Sequence, residues 1–254
     1  MAKHRMPAAS DRVDWKNRYL LVVDSDATNR YYLSMLLQRL NYQIFTAATA
    51  QEAVEMASIS VPSLIITALD LKDRDGLEMA QQLKQAPSTA DVPFIFLTRE
   101  GGQLAERRSL EQLGMAVSLT PPVSPEVLYR TVQQAVETTP RTCLRIQTRL
   151  LVTVSNMPLN FTEGTCVSEL SESGMFLHTP NPAVVNTKLS LQFNLNQSII
   201  AVEAKVIYNS RISGGPKHEP GMGLEFVRIA PRDRELIREF IRNEVTRDIT
   251  PMNA

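Results

Sequence analysis

The sequence predicts an α/β domain followed by a β domain: a five-stranded, doubly wound parallel sheet, then a six-stranded antiparallel barrel closed by a C-terminal helix. Three observations predict it. Between residues 18 and 139, short apolar runs alternate five times with stretches of helical periodicity, the pattern of βα units on a parallel sheet. After "ETTPR" (137–141) this gives way to six short runs of partial alternation, separated by Gly, Pro, Asn and Ser turns. A single amphipathic segment ends the pattern.

In chain order, "YLLVVD" (19–24) is a continuous apolar run, a strand buried on both faces. "ATNRYYLSMLLQRLN" (27–41) places Tyr31, Met35, Leu36 and Leu40 on one helical stripe. "YQIFTA" (42–47) and "QEAVEMASIS" (51–60) are the next strand and helix, then "SLIITAL" (63–69) and "DGLEMAQQLKQA" (75–86). "PFIFLT" (93–98) precedes a helix "LAERRSLEQLG" (104–114), where Gly114 suits a C-terminal cap. "AVSLTPP" (116–122) is a short fifth strand. In "SPEVLYRTVQQAVE" (124–137) Ser124 is the N-cap and Pro125 the first helical residue. Such sheets carry ligands beyond the carboxyl ends of their strands, here Asp24, Ala68, Thr98 and Thr120.

The barrel runs are "RLLVTVSN" (149–156), "FTEGTCVSEL" (161–170), "GMFLHT" (174–179), "TKLSLQFNL" (187–195), "SIIAVEAKVIYN" (198–209) and "GMGLEFVRI" (221–229). "APRDRELIREFIRNEV" (230–245) closes it, with Leu236, Ile237, Phe240 and Ile241 on its packing side. Residues 1–17 are a flexible arm, 18–139 the first domain, 140–246 the second and 247–254 a tail.

Composition narrows the function. Lys plus Arg is 27 and Asp plus Glu is 27, so no global field draws the chain to DNA or a membrane surface. Residues 1–139 hold 14 basic and 16 acidic side chains, and 140–254 hold 13 and 11, so an anion site must be local. There is neither a basic stripe nor a helix-turn-helix. Two cysteines, Cys143 and Cys166, are too few for a disulfide scaffold or a zinc site. The first 17 residues lack the apolar core of a signal peptide, and no run approaches the roughly 20 apolar residues of a membrane span. A cytoplasmic protein is expected.

"VVDSD", "PSLIITALDLKDRDGLEM", "FIFLT" and "GMAVSLTPPVSPEVL" make residues 18–139 resemble a response-regulator receiver domain. The resemblance implies a phosphate-accepting aspartate at the end of the third strand, and here that position is Ala68. Counting six on from Pro62 and seven back from Asp75-Gly76 both give it. It also implies an acidic pair after the first strand, which here is Asp24 and Ser25. A hydroxyl ends the fourth strand, kept as Thr98, and a lysine should precede the proline after the fifth, replaced by Pro121. Ser118 stands where the family has an aromatic switch residue. Alanine offers no oxygen to phosphorus, and without a lysine nothing neutralises transferred charge. A pseudo-receiver follows: no catalytic residue, no metal, and a surface for docking a signalling or motility protein. Asp70, Asp73 and Asp75 are read as solvated loop carboxylates, set against a residual divalent cation between Asp24 and Asp70.

"RTCLR" (141–145), "ELSESG" (169–174), "GMGLEF" (221–226) and the closing helix make residues 140–246 resemble a PilZ domain. The resemblance implies binding of cyclic di-GMP through Arg-x-x-x-Arg, here Arg141 and Arg145, and through Asp/Asn-x-Ser-x-x-Gly, here Glu169, Ser171 and Gly174. Glu169 replaces the usual Asp or Asn. The residue types suit the ligand. Guanidinium forks match phosphate oxygens or guanine O6 and N7, and a carboxylate accepts from guanine N–H. Gly174 permits close backbone approach. Arg145 and Arg149 form a second Arg-x-x-x-Arg, and the 141/145 register is preferred because a strand then follows the second arginine. Since Arg141 lies in the junction, ligand is expected to alter how the two domains face each other. The expected function is a non-enzymatic, cyclic di-GMP-binding signalling effector; the alternative is a nucleotide-independent adaptor with both domains degenerate. A phosphorylatable regulator is opposed by Ala68 and Pro121.

Overall fold

The computed structural model describes residues 19–98, 117–155, 165–210 and 220–249. The expected arm, the helix 104–114 with Gly114, the start of the run at 161 and the last residues of the tail lie outside them. The chain divides after Val123 into two compact units.

In the first unit, β1 (Tyr19–Val23), β2 (Gln43–Ala47), β3 (Leu64–Ala68), β4 (Phe94–Leu97) and β5 (Ser118–Leu119) form one parallel sheet in the order β2-β1-β3-β4-β5. β1, β3 and β4 are apolar along most of their length because both their faces are covered. On one face, α2 (Ala50–Ile59) and α3 (Gly76–Gln85) bury Ala50, Ala53, Ala57, Met79, Ala80 and Leu83 with Leu21, Val23, Ile65 and Phe96. Side chains alternate across a strand, so Leu20, Val22 and Ile66 point to the other face. There α1 (Ala27–Arg39) packs on β1 and β2. Its buried apolar residues are Tyr32, Leu33, Leu36 and Leu37, continued by Leu40. The expected stripe through Tyr31 and Met35 is rotated by about one residue, and Tyr31 is 59% exposed. Adjacent tyrosines leave the phase of a 3.6-residue period open, and packing on the sheet selects Tyr32.

The second unit contains α4 (Pro125–Val136), a closed barrel and α5 (Pro231–Thr246). Ser124 caps α4, its hydroxyl accepting from Val127 N at 3.3 Å, and Pro125 occupies the first turn as the sequence predicts. The strands are β6 (Arg145–Ser155), β7 (Cys166–Ser171), β8 (Gly174–His178), β9 (Lys188–Leu195), β10 (Ser198–Ser210) and β11 (Gly221–Ile229). They close in the order β10-β11-β8-β7-β6-β9, with β9 paired to β10, so no edge is left open. Leu189, Leu191, Phe193 and Leu195 fill the interior from alternate positions of β9, and Ile200, Val202, Ala204 and Val206 do so from β10. α5 buries Ile237, Ile241 and Val245, a narrower stripe than the expected one, with Leu236 and Phe240 half-buried. Ile249, in the expected tail, is buried as well. Among the described residues no helix is long and apolar enough to cross a membrane.

Candidate functional site

At the carboxyl edge of the parallel sheet, Ala68 ends β3 with only a methyl group to offer. Three acidic residues of this edge are engaged in holding helices. Asp26 caps α1, accepting from Thr28 N at 2.8 Å and Asn29 N at 2.9 Å. Asp75 caps α3 through Leu77 N at 2.7 Å. Asp73 reaches the start of α2 from the β3–α3 loop and accepts from Ala50 N and Gln51 N, both at 2.9 Å. Burial pushes the Asp73 carboxyl up, but these N–H donors together outweigh it and hold its pKa below the ordinary carboxylate value. Four orphan amides at a helix start account for such carboxylates without any ligand.

Asp24 differs. It is 5% exposed, its Oδ1 accepts from Asp26 N at 2.8 Å, and its backbone carbonyl accepts from Arg30. Burial raises its pKa, opposed by the Asp26 amide and the Arg30 charge. Ser25 bonds across the same edge, donating to Ala48 O at 3.1 Å and accepting from Lys72 N at 2.8 Å. Thr98 lies 3.1 Å from the Thr120 hydroxyl. Pro121 precedes Pro122 through a cis peptide bond. Among the described residues no group of three His, Cys, Asp or Glu side chains is placed to hold a metal ion.

The second constellation is built by strand pairing. β6 and β7 run antiparallel with Arg145 opposite Ser171 and Gln147 opposite Glu169. Arg145 and Glu169 are therefore diagonal neighbours, within reach of long side chains. Arg145 Nη1 lies 2.8 Å from Glu169 Oε2. Burial works against the Arg145 charge, but the Glu169 bond and charge outweigh it and raise its pKa. The tight β7–β8 connection follows, with Ser171 opposite Gly174 and its hydroxyl donating to Gly174 O at 3.0 Å. Four of the five expected binding residues thus occupy one stretch of sheet. Arg149 is exposed and sits in the irregular register between Gln147 and Leu150.

Two of the expected binding residues also serve the barrel itself. A Cβ on Gly174 would stand 2.2 Å from Leu224 O, so this glycine is required by the close approach of β8 to β11 whether or not ligand binds. Ser171 is 3% exposed and already bonded, so it fixes the turn.

Several neighbours escaped the sequence reading. Arg141 is exposed, but its N–H donates to Gln133 Oε1 at 3.0 Å, and its charge acts on the phenol of Tyr129. Both partners lie on α4. Burial raises the Tyr129 pKa, opposed by the charges of Arg141 and Arg145. Cys143 donates to Glu172 Oε1 at 3.2 Å, and Arg238 of α5 pairs with Glu172 Oε2 at 2.8 Å. The segment 141–145 is therefore pinned at Arg141, Cys143 and Arg145. The ring of Phe176 lies 6.2 Å from that of Tyr208. The four-residue spacing of Tyr129 and Gln133 on a packing face was the available signal, since it places two polar groups where an apolar stripe is due.

The chain is similar to several known proteins. The uncharacterized 14.6 kDa protein in the sodA1 3' region of Leptolyngbya boryana is 30% identical over 115 residues, 45% of this chain and 87% of that protein. The phosphate regulon transcriptional regulatory protein PhoB of Pseudomonas aeruginosa is 31% identical over 109 residues, 43% of this chain and 47% of its own. The chain thus spans most of the first relative and about half of the second. The solved chemotaxis response regulator CheY4 of Vibrio cholerae is 24% identical and covers 46% of this chain and 98% of its own, with a TM-score of 0.43. The response regulator receiver domain family model matches residues 20–133, and the PilZ domain family model matches residues 139–243. Both are regulatory families, and the chain belongs to them in series, a response regulator receiver domain followed by a PilZ domain.

Proposed function

We propose that this chain is a bacterial cytoplasmic signalling effector without enzymatic activity. Residues 140–246 bind cyclic di-GMP, and residues 18–139 dock a signalling or motility protein without accepting a phosphoryl group. The observation that carries the nucleotide reading is the pairing of Arg145 with Ser171 and its contact with Glu169. Two halves of a motif 24 residues apart in sequence occupy one patch, and the Arg145 side chain is still 29% exposed.

In this site Arg141 and Arg145 meet the phosphates or the guanine O6/N7 edge, and Glu169 accepts from guanine N–H. Ser171 and Gly174 hold the turn that carries Glu169. Charge-assisted bonds contribute about 1.5–3 kcal/mol each. Four or five of them support micromolar binding, about −8 kcal/mol.

Phosphoryl transfer is rejected on chemistry: Ala68 has no nucleophile and Pro121 no cation. The helix-capping work of Asp26, Asp73 and Asp75 explains why carboxylates persist there without a catalytic use.

Calorimetric titration of the full chain with cyclic di-GMP tests the nucleotide reading. Saturable micromolar heat that Arg145→Ala abolishes supports it. A silent titration at high micromolar concentrations of both sinks it.

A second reading, a nucleotide-independent adaptor, is favoured by one specific observation. Both the Arg145 guanidinium and the Ser171 hydroxyl have internal partners already. The same titration decides between them.

A further inference from the structure

Arg141 is the one residue of the proposed site outside the barrel strands, and an exposed arginine on a connecting segment ordinarily samples many rotamers. Here it is held from below. Its backbone N–H donates to Gln133 Oε1 at 3.0 Å, and its charge acts on the Tyr129 phenol. Tyr129 and Gln133 lie four residues apart, one turn of α4, and are 4% and 6% exposed. Neither can move without disturbing packed neighbours. α4 is itself tied to α5 by Arg242 Nε and Glu126 Oε1 at 2.8 Å.

We infer that Tyr129 and Gln133 are positioning residues of the nucleotide site: they fix Arg141 so that its guanidinium faces the ligand's phosphate. The inference rests on the nucleotide reading above and extends the site beyond the PilZ signature. Both residues fall within the receiver match, 20–133, and before the PilZ match, which begins at 139. The helix that belongs in sequence to the receiver family thus supplies part of the second domain's site. The alternative is that Tyr129 and Gln133 are buried polar groups satisfied by a convenient neighbour, with no bearing on ligand.

A double-mutant cycle separates the two. Cyclic di-GMP is titrated into the full chain as wild type, Tyr129→Phe, Gln133→Met, Arg141→Ala, and each α4 variant combined with Arg141→Ala. Tyr129→Phe keeps the ring, and Gln133→Met keeps the length while removing the acceptor, so melting midpoints serve as the control for folding. Removing the phenol on which the Arg141 charge acts should weaken binding about threefold for Tyr129→Phe. Gln133→Met, which loses a neutral bond, should weaken it about threefold. In the Arg141→Ala background both substitutions should change affinity by less than about twofold. Unchanged affinity in the single variants overturns the inference, and so does an equal loss in both backgrounds, which is what a structural role produces. A silent wild type overturns the nucleotide reading and this inference together, whereas binding that ignores Tyr129 and Gln133 overturns this inference alone.

Discussion

Arg145 Nη1 and Glu169 Oε2 stand 2.8 Å apart as diagonal neighbours on β6 and β7, with their side chains 29% and 38% exposed. An ion pair this open contributes at most about 1 kcal/mol to folding, so ligand can displace it at little cost. Glu169 therefore has two uses in the proposed site: it orients Arg145 when ligand is absent and accepts from guanine when ligand is bound. Glu169→Asp shortens the side chain by one methylene, loosens the pair and restores the residue type the family resemblance implies. Affinity for cyclic di-GMP should hold or rise. A tenfold loss would show that this chain needs the longer side chain.

The two arginine registers make opposite predictions. Arg145→Ala should weaken cyclic di-GMP at least tenfold, about 1.4 kcal/mol, with the barrel still folded. Arg149→Ala should change it far less, because Arg149 is exposed in the irregular stretch of β6. The reverse ranking in parallel titrations would move the site along the strand.

Much of this was legible in the sequence. Continuous apolar runs marked β1, β3 and β4, and the Ser124-Pro125 pair marked the start of α4, since each feature has one strong local cause. The candidate residues were legible from motif spacing, yet their internal bonds were not. That Ser171 binds Gly174 O, or that Gly174 is needed against Leu224, depends on which strands become neighbours, a non-local fact. The aspartates show the same limit. Both Asp73 and Asp75 read as solvated loop carboxylates; Asp75 caps the helix that follows it at once, whereas Asp73 reaches the start of a helix 23 residues earlier. The phase of α1 was missed because Tyr31 and Tyr32 are equally good locally and only the sheet distinguishes them.

Acetyl phosphate with magnesium should add no phosphoryl group to residues 18–139. Ala68 ends β3 where the receiver resemblance places the acceptor, and Pro121 stands where it places the lysine. Ala68→Asp alone should remain poorly phosphorylated, because the transferred charge still lacks its cation. Intact mass after incubation reads both outcomes, and a phosphorylated wild type would refute the pseudo-receiver.

Asp73→Ala should destabilise the first unit by about 1 kcal/mol, comparable to the loss of a capping side chain, by stripping two amides of α2 of their acceptor while the N-cap residue Thr49 still holds Glu52 N. The folded pKa of Asp73 is lowered, so its contribution is present above the unfolded pKa and is lost as pH falls through the folded one. The wild-type advantage over Asp73→Ala in urea denaturation should therefore shrink on acidification. An advantage that persisted at the lowest pH would mean Asp73 acts through something other than the carboxylate charge.

Asp24 has the opposite sign. Burial raises its folded pKa above the ordinary 3.8, with the Asp26 amide and Arg30 opposing. A raised folded pKa means a contribution that is full below the unfolded value and lost as pH rises through the folded one. At neutral pH the ionised carboxylate is therefore a net cost to the fold. Asn keeps an oxygen to accept from Asp26 N and carries no charge. Asp24→Asn should consequently stabilise the first unit at pH 7, and the gain should fade as pH drops toward 3.8. Hydrogen exchange of the Leu64–Ala68 strand across that range measures it without interference from the barrel. The experiment also tests for a residual cation. If Asp24 binds magnesium, adding the metal should stabilise wild type selectively and reverse the order of the two proteins at pH 7. Identical exchange with and without magnesium is the expected result.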